Sequence, residues 1–181
     1  MTQILLVRHG ETDWNLDRRL QGHSDRPLND TGREQSRALA VELADERLDA
    51  VYSSDLSRAR ETAEIVAGKH GLEVTTLEEL RERHFGSWEG LSDDEIHERF
   101  PEEIANGTLG DGEPREEMDR RVLQALKRIA TEHPNGTVLV VSHGGPLRAM
   151  LRHCAVDGVE RVENCHVLRL EADEGRIRPR S

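Results

Sequence analysis

Two short apolar segments, each followed by a His-Gly pair, constrain the fold of this chain more than any other feature. The first, Ile4–Val7, leads through Arg8 into His9, and the second, Thr137–Val141, leads within two residues to His143. Unbroken apolar runs of this length, rich in β-branched residues, are typical of strands that are buried on both faces. The sequence therefore predicts two central strands of a covered sheet, each with a histidine at its carboxyl end.

Helical patterns alternate with the strands. Leu48–Tyr52 is a third strand candidate, and a helical pattern follows it, as one follows His143, where Pro146 suits a first turn. Such alternation indicates a parallel sheet that is covered by helices. Later in the chain, alternating residues predict a strand at an antiparallel edge. The predicted helices span residues 34–44, 55–70 and 115–132, and the late strand spans residues 163–171. Asn29 or Asp30, with Thr31, offers a cap before the first of these helices.

The expected fold is α/β, a three-layer αβα sandwich with a mainly parallel central sheet and an antiparallel edge. A chain of 181 residues without repeats or linkers is the size of one domain, so residues 1–181 are predicted to form a single domain. Within it, the acidic and glycine-rich segment from about 90 to 112 predicts a short cap or lid over a site. The basic tail, residues 175–181, is expected to be peripheral.

The charge balance disfavours nucleic acid as a partner. The chain has 25 Lys and Arg against 36 Asp and Glu, a formal net charge of −11, whereas a protein that binds polyanions needs a basic face.

No apolar stretch approaches the roughly 20 residues that cross a bilayer, and no leader pattern precedes the first strand. Two cysteines without CxxC spacing suit a reducing compartment. We therefore expect a cytoplasmic protein that binds neither nucleic acid nor membrane, and the sequence does not predict its oligomeric state.

The strand ends predict an anion-binding site. Open α/β sheets bind ligands at the carboxyl ends of their strands, where His9 and His143 could meet. Arg8 precedes the first histidine, and Arg58 and Arg60 lie near the start of the helix that follows the third strand. Imidazoles and guanidinium groups that converge at helix N-termini form a pocket suited to a phosphoryl group.

Histidine is the nucleophile that the sequence favours. A neutral imidazole is nucleophilic near neutral pH, whereas Ser54 and Ser142 lack the adjacent base and the elbow glycines that would activate them. Phosphoryl transfer places negative charge on the phosphoryl and leaving oxygens, so it requires cations and an acid. Glu82, in the charged segment Leu80–Gly86, is the candidate acid.

Five segments, in order along the chain, resemble the signature of the histidine phosphatase superfamily in its phosphoglycerate-mutase-like branch. A lone Arg-His-Gly would be a weak signal, whereas five segments at compatible spacings over nearly the whole chain are a strong one. The resemblance implies a phosphoglycerate-mutase-like fold. The segments are Leu6–Asn15 (LVRHGETDWN), Arg19–Gly22 (RLQG), Ser53–Ala59 (SSDLSRA), Glu82 with Gly86–Gly90 (GSWEG), and Val141–Gly145 (VSHGG).

The resemblance also implies roles for individual residues. His9 corresponds to the histidine that is phosphorylated and Glu82 to the proton donor, while Arg60 lies outside the matching position. For Arg83 two interpretations stay open: it contacts the substrate, or it is a charged residue of the surface. The residues implied to hold the phosphoryl group are Arg8, Arg58 and His143. The residues implied to line the phosphate and substrate entrance are Asn15, Gln21 and Gly22, with backbone from Gly144. The family uses neither metal nor organic cofactor for hydrolysis, so none is expected here.

The segment after Glu82 distinguishes a mutase from a phosphomonoesterase. Related mutases have an insertion there with basic residues that retain a bisphosphorylated intermediate, whereas Glu89–Pro114 contains Arg99 as its only Arg or Lys. The sequence therefore favours a phosphomonoesterase acting on a small phosphorylated metabolite. The alternatives are a 2,3-bisphosphoglycerate-dependent phosphoglycerate mutase and a non-catalytic module that binds a phosphorylated ligand.

The acidic segment is expected to form a rim that tolerates a neutral or amine-bearing leaving group. Phosphorylated amino acids, sugar monophosphates and α-ribazole phosphate all stay open as substrates.

Overall fold

A six-stranded sheet forms the centre of the protein. The computed structural model describes residues 1–156 and 161–180. The strands are β1 (Thr2–Arg8), β2 (Ala50–Ser53), β3 (Val74–Thr76), β4 (Thr137–Ser142), β5 (Val167–Asp173) and β6 (Arg176–Pro179). Their spatial order is β3-β2-β4-β1-β5-β6. The first four in this order pair in parallel, whereas β5 is antiparallel to both β1 and β6.

Helices cover both faces of the sheet, so the predicted three-layer α/β fold is confirmed. The helices are α1 (Asp13–Leu16), α2 (Asp30–Glu42), α3 (Ser57–His70), α4 (Asp93–Arg99), α5 (Pro101–Ala105), α6 (Arg115–Glu132) and α7 (Gly144–His153). Helices α2 and α3 pack on one face of the sheet, and α6 and α7 pack on the other. In the described ranges, no helix combines the length and the apolar character that crossing a bilayer requires.

The central strands divide their side chains between two cores. In β1, Leu5 and Val7 pack with α2 and α3, whereas Ile4 and Leu6 pack with α6 and α7. Strand β4 divides its side chains in the same way. Full burial of one such side chain contributes about 1.5–3 kcal/mol. The unbroken apolar runs therefore form the middle of the sheet, where both faces are covered.

The structure departs from the sequence prediction mainly at the ends of elements. Helix α2 begins about one turn early because the Asn29 side chain accepts a hydrogen bond from the Gly32 backbone N–H at 2.8 Å and caps the helix. The late strand begins at Val167 rather than at residue 163. Strands β3 and β6 are too short, at three and four residues, to leave a pattern in the sequence. Strand β6 adds an edge to the sheet from the predicted tail, whose last residue, Ser181, lies outside the described residues.

The pairing of β1 with β4 brings two strand ends together. The strands are parallel and Arg8 lies opposite Ser142, so His9 and His143 follow at the same level of the sheet. The His9 backbone N–H donates to the Ser142 carbonyl at 3.0 Å. Strand β2, next to β4, ends nearby at Ser53. The carboxyl ends of three adjacent strands therefore meet at one edge, as the general rule for open parallel sheets predicts.

Candidate active site

His9 and His143 are in contact at the ends of β1 and β4. Their ring centroids are 5.2 Å apart in an edge-to-face arrangement, and the two residues are 2% and 0% exposed. The Nδ1 atom of His9 lies 2.6 Å from the Gly10 carbonyl oxygen. This contact assigns the ring proton to Nδ1, which donates, and leaves a lone pair on Nε2. The site therefore contains one neutral imidazole nitrogen that is able to act as a nucleophile.

Burial and neighbouring cations keep both imidazoles neutral. Loss of solvation lowers the pKa of His9 well below its usual range, and the Arg58 and Arg8 guanidinium groups lower it further. Burial also lowers the pKa of His143, with Arg58 and His9 acting in the same direction. An imidazole with a lowered pKa stays deprotonated where a solvated histidine would be charged. His9 is therefore expected to keep its lone pair in mildly acidic solution.

Arg58 is fixed in orientation by a loop between α1 and α2. It lies in the first turn of α3 and is only 1% exposed. Its Nη2 donates to the Gly22 carbonyl at 2.7 Å, and its Nη1 donates to the Ser24 carbonyl at 3.0 Å. Burial lowers the pKa of Arg58 to about 10, although the nearby Glu82 carboxylate opposes this effect. The guanidinium group therefore remains charged at neutral pH.

Four buried nitrogen atoms near His9 have no hydrogen-bond partner among the described residues. They are Nε of Arg8, Nε of Arg58, and Nδ1 and Nε2 of His143. Arg8 uses another of its donors, Nη1, to bind the Val162 carbonyl. A buried polar atom without a partner costs about 1–3 kcal/mol, and such exceptions are normally explained by a ligand, a strain or a catalytic role. The two guanidinium Nε–H groups are donors, and neutral His143 donates through one of its two ring nitrogens. These unused donors favour binding of an oxyanion.

Glu82 faces the same pocket from the loop that precedes α4. Its carboxylate accepts a hydrogen bond from the Gly145 backbone N–H at 3.0 Å and another from the Arg83 N–H at 2.8 Å. The first bond ties the Glu82 carboxyl group to the first turn of α7 and fixes its position. A Cβ atom at position 145 would lie 2.0 Å from Glu82 Oε1, so a larger residue there would displace the Glu82 carboxyl group. Glu82 is the only carboxylate in the pocket lining within the described part of the chain.

A half-buried carboxylate outside the pocket, Glu89, shapes the loop that carries Gly22 and Ser24. It accepts a hydrogen bond from the Ser24 backbone N–H at 2.8 Å and another from the Ser24 hydroxyl at 2.6 Å. Gly22 has a φ of +55°, and a Cβ atom there would lie 2.2 Å from Glu89 Oε1, so larger residues are excluded. Next to it, Gln21 accepts a hydrogen bond from the Thr12 hydroxyl at 2.8 Å.

The residues that line the pocket largely agree with the sequence prediction. The pocket has a volume of about 140 Å³, less than the roughly 300–1,000 Å³ of typical ligand sites, so it suits a small ligand. Among its lining residues are Arg8, His9, Asn15, Gln21, Gly22, Arg58, Glu82 and Gly144. His143 packs against His9 rather than lining the pocket. Arg83 lies outside it: its Nε donates to the Glu113 carbonyl at 2.7 Å, and it lines a neighbouring cavity of about 430 Å³.

The acidic segment does not form the expected rim. None of residues 90–112 lines the pocket. Carboxylates of this segment make ion pairs and hydrogen bonds with other residues. Glu95 pairs with Arg19 at 2.6 Å, and Asp111 accepts a hydrogen bond from the Ser87 backbone N–H at 2.9 Å. The charged residues of the lining, besides Glu82, are the arginines Arg8, Arg19, Arg58 and Arg148. The expectation of an acidic rim is therefore wrong, and the lid role of residues 90–112 stays a prediction.

Arg121 of α6 holds the loop that carries Glu82. Its guanidinium group donates to the backbone carbonyls of Glu79 at 2.9 Å, Arg81 at 2.7 Å and Glu82 at 2.8 Å. It also makes a two-pronged ion pair with the Glu113 carboxylate at 2.7 and 2.8 Å. Burial is the largest single effect and works to raise the pKa of Glu113, but the hydrogen bonds and charge of Arg121, together with a hydrogen bond from the His84 backbone N–H, lower the pKa overall. The Glu113–Arg121 pair thus connects α6 to the backbone on both sides of Glu82.

Replacing Arg121 with lysine is expected to lower the free energy of unfolding by about 2–3 kcal/mol, because an ammonium group cannot reach these acceptors together. The measurement is urea denaturation followed by circular dichroism. The matched control is Arg128→Lys on the same helix, whose exposed side chain pairs with Glu79 at 3.1 Å and should lose less than about 0.5 kcal/mol. Equal losses in the two variants would show that the Arg121 contacts do not stabilise the loop.

Sequence reasoning missed Arg148 but placed Arg60 correctly. Arg60 lies on the exposed side of α3, where it pairs with Glu64 at 3.6 Å, and it does not line the pocket. Arg148 does line the pocket. It follows Gly144 by four residues on α7, and residues four apart lie on the same side of a helix. That spacing is a signal that could have identified Arg148 from the sequence.

Comparison with known proteins shows similarity over most of the chain. A profile of the histidine phosphatase superfamily (branch 1) matches residues 4–181. Phosphoglycerate mutase-like protein 4 of Arabidopsis thaliana is 42% identical over 177 residues, covering 91% of this chain and 77% of that protein. The metal-independent phosphoserine phosphatase of the same plant is 42% identical over 160 residues, covering 83% and 67%. The structure of Bacillus stearothermophilus YhfR superposes with a TM-score of 0.91 at 34% identity, covering 99% of this chain and 95% of that one.

Proposed function

The chain belongs to the histidine phosphatase superfamily, and we propose that it is a phosphomonoesterase that hydrolyses a small phosphorylated metabolite through a phosphohistidine intermediate on His9. The observation that carries the proposal is the neutral His9 Nε2 beside unpartnered buried nitrogens of Arg8, Arg58 and His143. A phosphoryl group has both the negative charge and the several acceptor atoms that such donors require. Its similarity to a protein named as a phosphoserine phosphatase supports hydrolysis as the reaction.

In the first step, His9 Nε2 attacks phosphorus, and the bond between phosphorus and the ester oxygen breaks. Protonated Glu82 gives its proton to the departing oxygen, so the alcohol leaves as a neutral molecule. Arg8, Arg58 and His143 bind the phosphoryl oxygens while they carry the transferred charge. Because Arg58 is already fixed by backbone carbonyls, its charge requires little reorganisation during the reaction.

In the second step, a water molecule attacks the phosphorus of phospho-His9. The Glu82 carboxylate accepts a proton from this water, the bond between phosphorus and Nε2 breaks, and inorganic phosphate leaves. His9 is again neutral and Glu82 is again protonated, so both groups are ready for the next ester. The lowered pKa of His9 favours this return, because the released imidazole keeps only its Nδ1 proton and does not take up a second one.

The arginines supply the positive charge that a metal ion supplies in other phosphoryl-transfer enzymes. The reaction is therefore proposed to need no metal ion and no organic cofactor. A mutase would use the same first step and would return the phosphoryl group to a second substrate oxygen. No residue of the segment 90–112, Arg99 included, lines the pocket, so this segment supplies no cation to retain a bisphosphorylated intermediate. Water is the proposed acceptor.

Phosphate release in excess EDTA tests the proposed function. The purified protein is incubated with 3-phosphoglycerate, phosphoserine, sugar monophosphates and α-ribazole phosphate, and free phosphate is measured. We expect release from at least one ester, with kcat/KM unchanged within about twofold when EDTA is replaced by Mg²⁺. Loss of activity in EDTA would contradict the metal-independent mechanism. Formation of 2-phosphoglycerate from 3-phosphoglycerate and 2,3-bisphosphoglycerate, without release of phosphate, would identify a mutase.

A further inference from the structure

A turn formed by residues 163–166 lies against the backbone of the proposed nucleophile. The turn precedes β5 and continues the contact between β5 and β1 beyond the end of the sheet. Its Cys165 backbone N–H donates to the Arg8 carbonyl at 2.9 Å, but the same N–H is 3.4 Å from the His9 carbonyl. The closer partner of the His9 carbonyl is a side chain, because Asn164 Nδ2 donates to it at 2.9 Å.

The NH2 group of Asn164 also contacts a residue of the pocket. It donates to the Oδ1 atom of Asn15 at 3.3 Å, and an amide NH2 group has two hydrogens, so it can serve both acceptors at once. Asn15 lines the pocket, whereas Asn164 does not. One side chain outside the pocket therefore connects the backbone of His9 to a side chain of the lining.

Backbone groups determine the orientation of both amides. The His9 carbonyl only accepts, so Asn164 must present its NH2 group to it. The Thr12 N–H only donates, and it lies 3.1 Å from Asn15 Oδ1, so Asn15 presents its oxygen to Thr12 and to Asn164. The reverse orientation of either amide would set two donors or two acceptors against each other. The NH2 group of Asn15 has no hydrogen-bond partner within residues 1–156 and 161–180, so it is left for a ligand.

We propose that Asn164 is a positioning residue of the reaction, which holds the His9 backbone and orients the Asn15 amide so that its NH2 group binds a phosphoryl oxygen. This inference rests on the proposed function. Nucleophilic attack requires close and aligned atoms, and a misplacement of about 1 Å can slow a reaction about 100-fold. Asn164 touches neither the ester nor the phosphorus, and it acts through two residues that do.

Two substitutions at residue 164 distinguish positioning from formation of the turn. Aspartate keeps the turn preference of asparagine, but it sets an oxygen atom against two acceptors. Alanine removes both contacts without repulsion. We expect kcat for ester hydrolysis to fall about 10-fold in Asn164→Ala and about 100-fold in Asn164→Asp, in protein that urea denaturation shows to be folded. A kcat near that of the wild type in Asn164→Asp would show that the residue only forms the turn, and would overturn the proposal.

The matched control for the aspartate variant is Asn135→Asp. Asn135 is exposed and precedes β4, at the edge of the sheet opposite the site, where its side chain accepts a hydrogen bond from the N-terminal amine at 2.8 Å. This variant undergoes the same chemical change and should keep kcat within about twofold of the wild type. A loss equal to that of Asn164→Asp would contradict a specific role for residue 164.

A double-mutant cycle tests whether Asn164 acts through Asn15. The effect of Asn164→Ala on kcat/KM is measured in the wild type and in Asn15→Ala. We expect the loss to shrink from about 10-fold in the wild type to about threefold in Asn15→Ala, because only the contact with the His9 backbone is then left to lose. Equal losses in the two backgrounds would overturn the coupling between these residues.

If no ester is hydrolysed, the proposed function fails, and binding of inorganic phosphate then decides the inference separately. Calorimetry measures the affinity for phosphate in the wild type, in each single variant and in the double variant. Asn164→Ala should weaken binding about threefold or more in the wild type and should have little further effect in Asn15→Ala. No effect at residue 164, an equal effect in both backgrounds, or no binding of phosphate by the wild type would each overturn the inference.

Discussion

Replacing His9 with alanine is expected to lower kcat for phosphomonoester hydrolysis by about 10⁴-fold or more. The substitution removes Nε2, the nitrogen that forms the covalent intermediate in the proposed mechanism. In the proposed mechanism His143, whose ring contacts His9 edge to face, binds a phosphoryl oxygen and does not attack the phosphorus. The measurement is phosphate release by the purified variant under single-turnover conditions. Affinity for the ester should fall much less, because the arginines that bind the phosphoryl group remain.

A labelling experiment separates a lost nucleophile from a damaged fold. Protein mixed with an ester that carries radioactive phosphorus and quenched in alkali should retain label in the wild type, because a phosphorus–nitrogen bond survives alkali and is cleaved by acid. His9→Ala should retain none. The control is His97→Ala, an exposed histidine on α4, which should keep both label and kcat within about twofold of the wild type. Label of the same stability on His9→Ala would contradict the assignment of the nucleophile.

The sheet and the two histidines could be predicted because their signals are local. A strand that is buried on both faces appears in the sequence as a run such as Ile4–Val7, and parallel order then places His9 beside His143 without further information. The cap of α2 is also local, since Asn29 reaches an N–H group only three residues away. Elements of three or four residues, such as β3 and β6, are too short for their periodicity to be distinguished from that of a loop.

The charged groups around the site could not be predicted in the same way, because their partners are distant in the sequence. The sequence predicts an acidic rim from residues 90–112, but Glu95 of this segment pairs with Arg19, 76 positions away. The Glu82 loop is held by Arg121, 39 positions away. Hydrogen bonds of this kind are determined by tertiary packing, so the sequence identified the reacting groups better than the groups that position them.

Replacing Glu82 with glutamine is expected to lower kcat by about 10²–10⁴-fold for esters of ordinary alcohols. Glutamine keeps the size of the side chain and can still accept a hydrogen bond from the Gly145 N–H, but it has no proton to give to a departing alkoxide. The matched control is Glu79→Gln, a partly exposed carboxylate in the same loop that pairs with Arg128. It should keep kcat within about twofold of the wild type.

The leaving group distinguishes an acid from a purely electrostatic or structural role for Glu82. p-Nitrophenolate departs without a proton, so transfer of the phosphoryl group from p-nitrophenyl phosphate to His9 should be slowed much less by Glu82→Gln. The second step still needs a base for the attacking water. Rapid mixing should therefore show a burst of p-nitrophenolate, about equal to the amount of enzyme, followed by slow turnover. An equal slowing of the first step for alkyl and nitrophenyl esters would mean that Glu82 shapes the pocket rather than moving the proton.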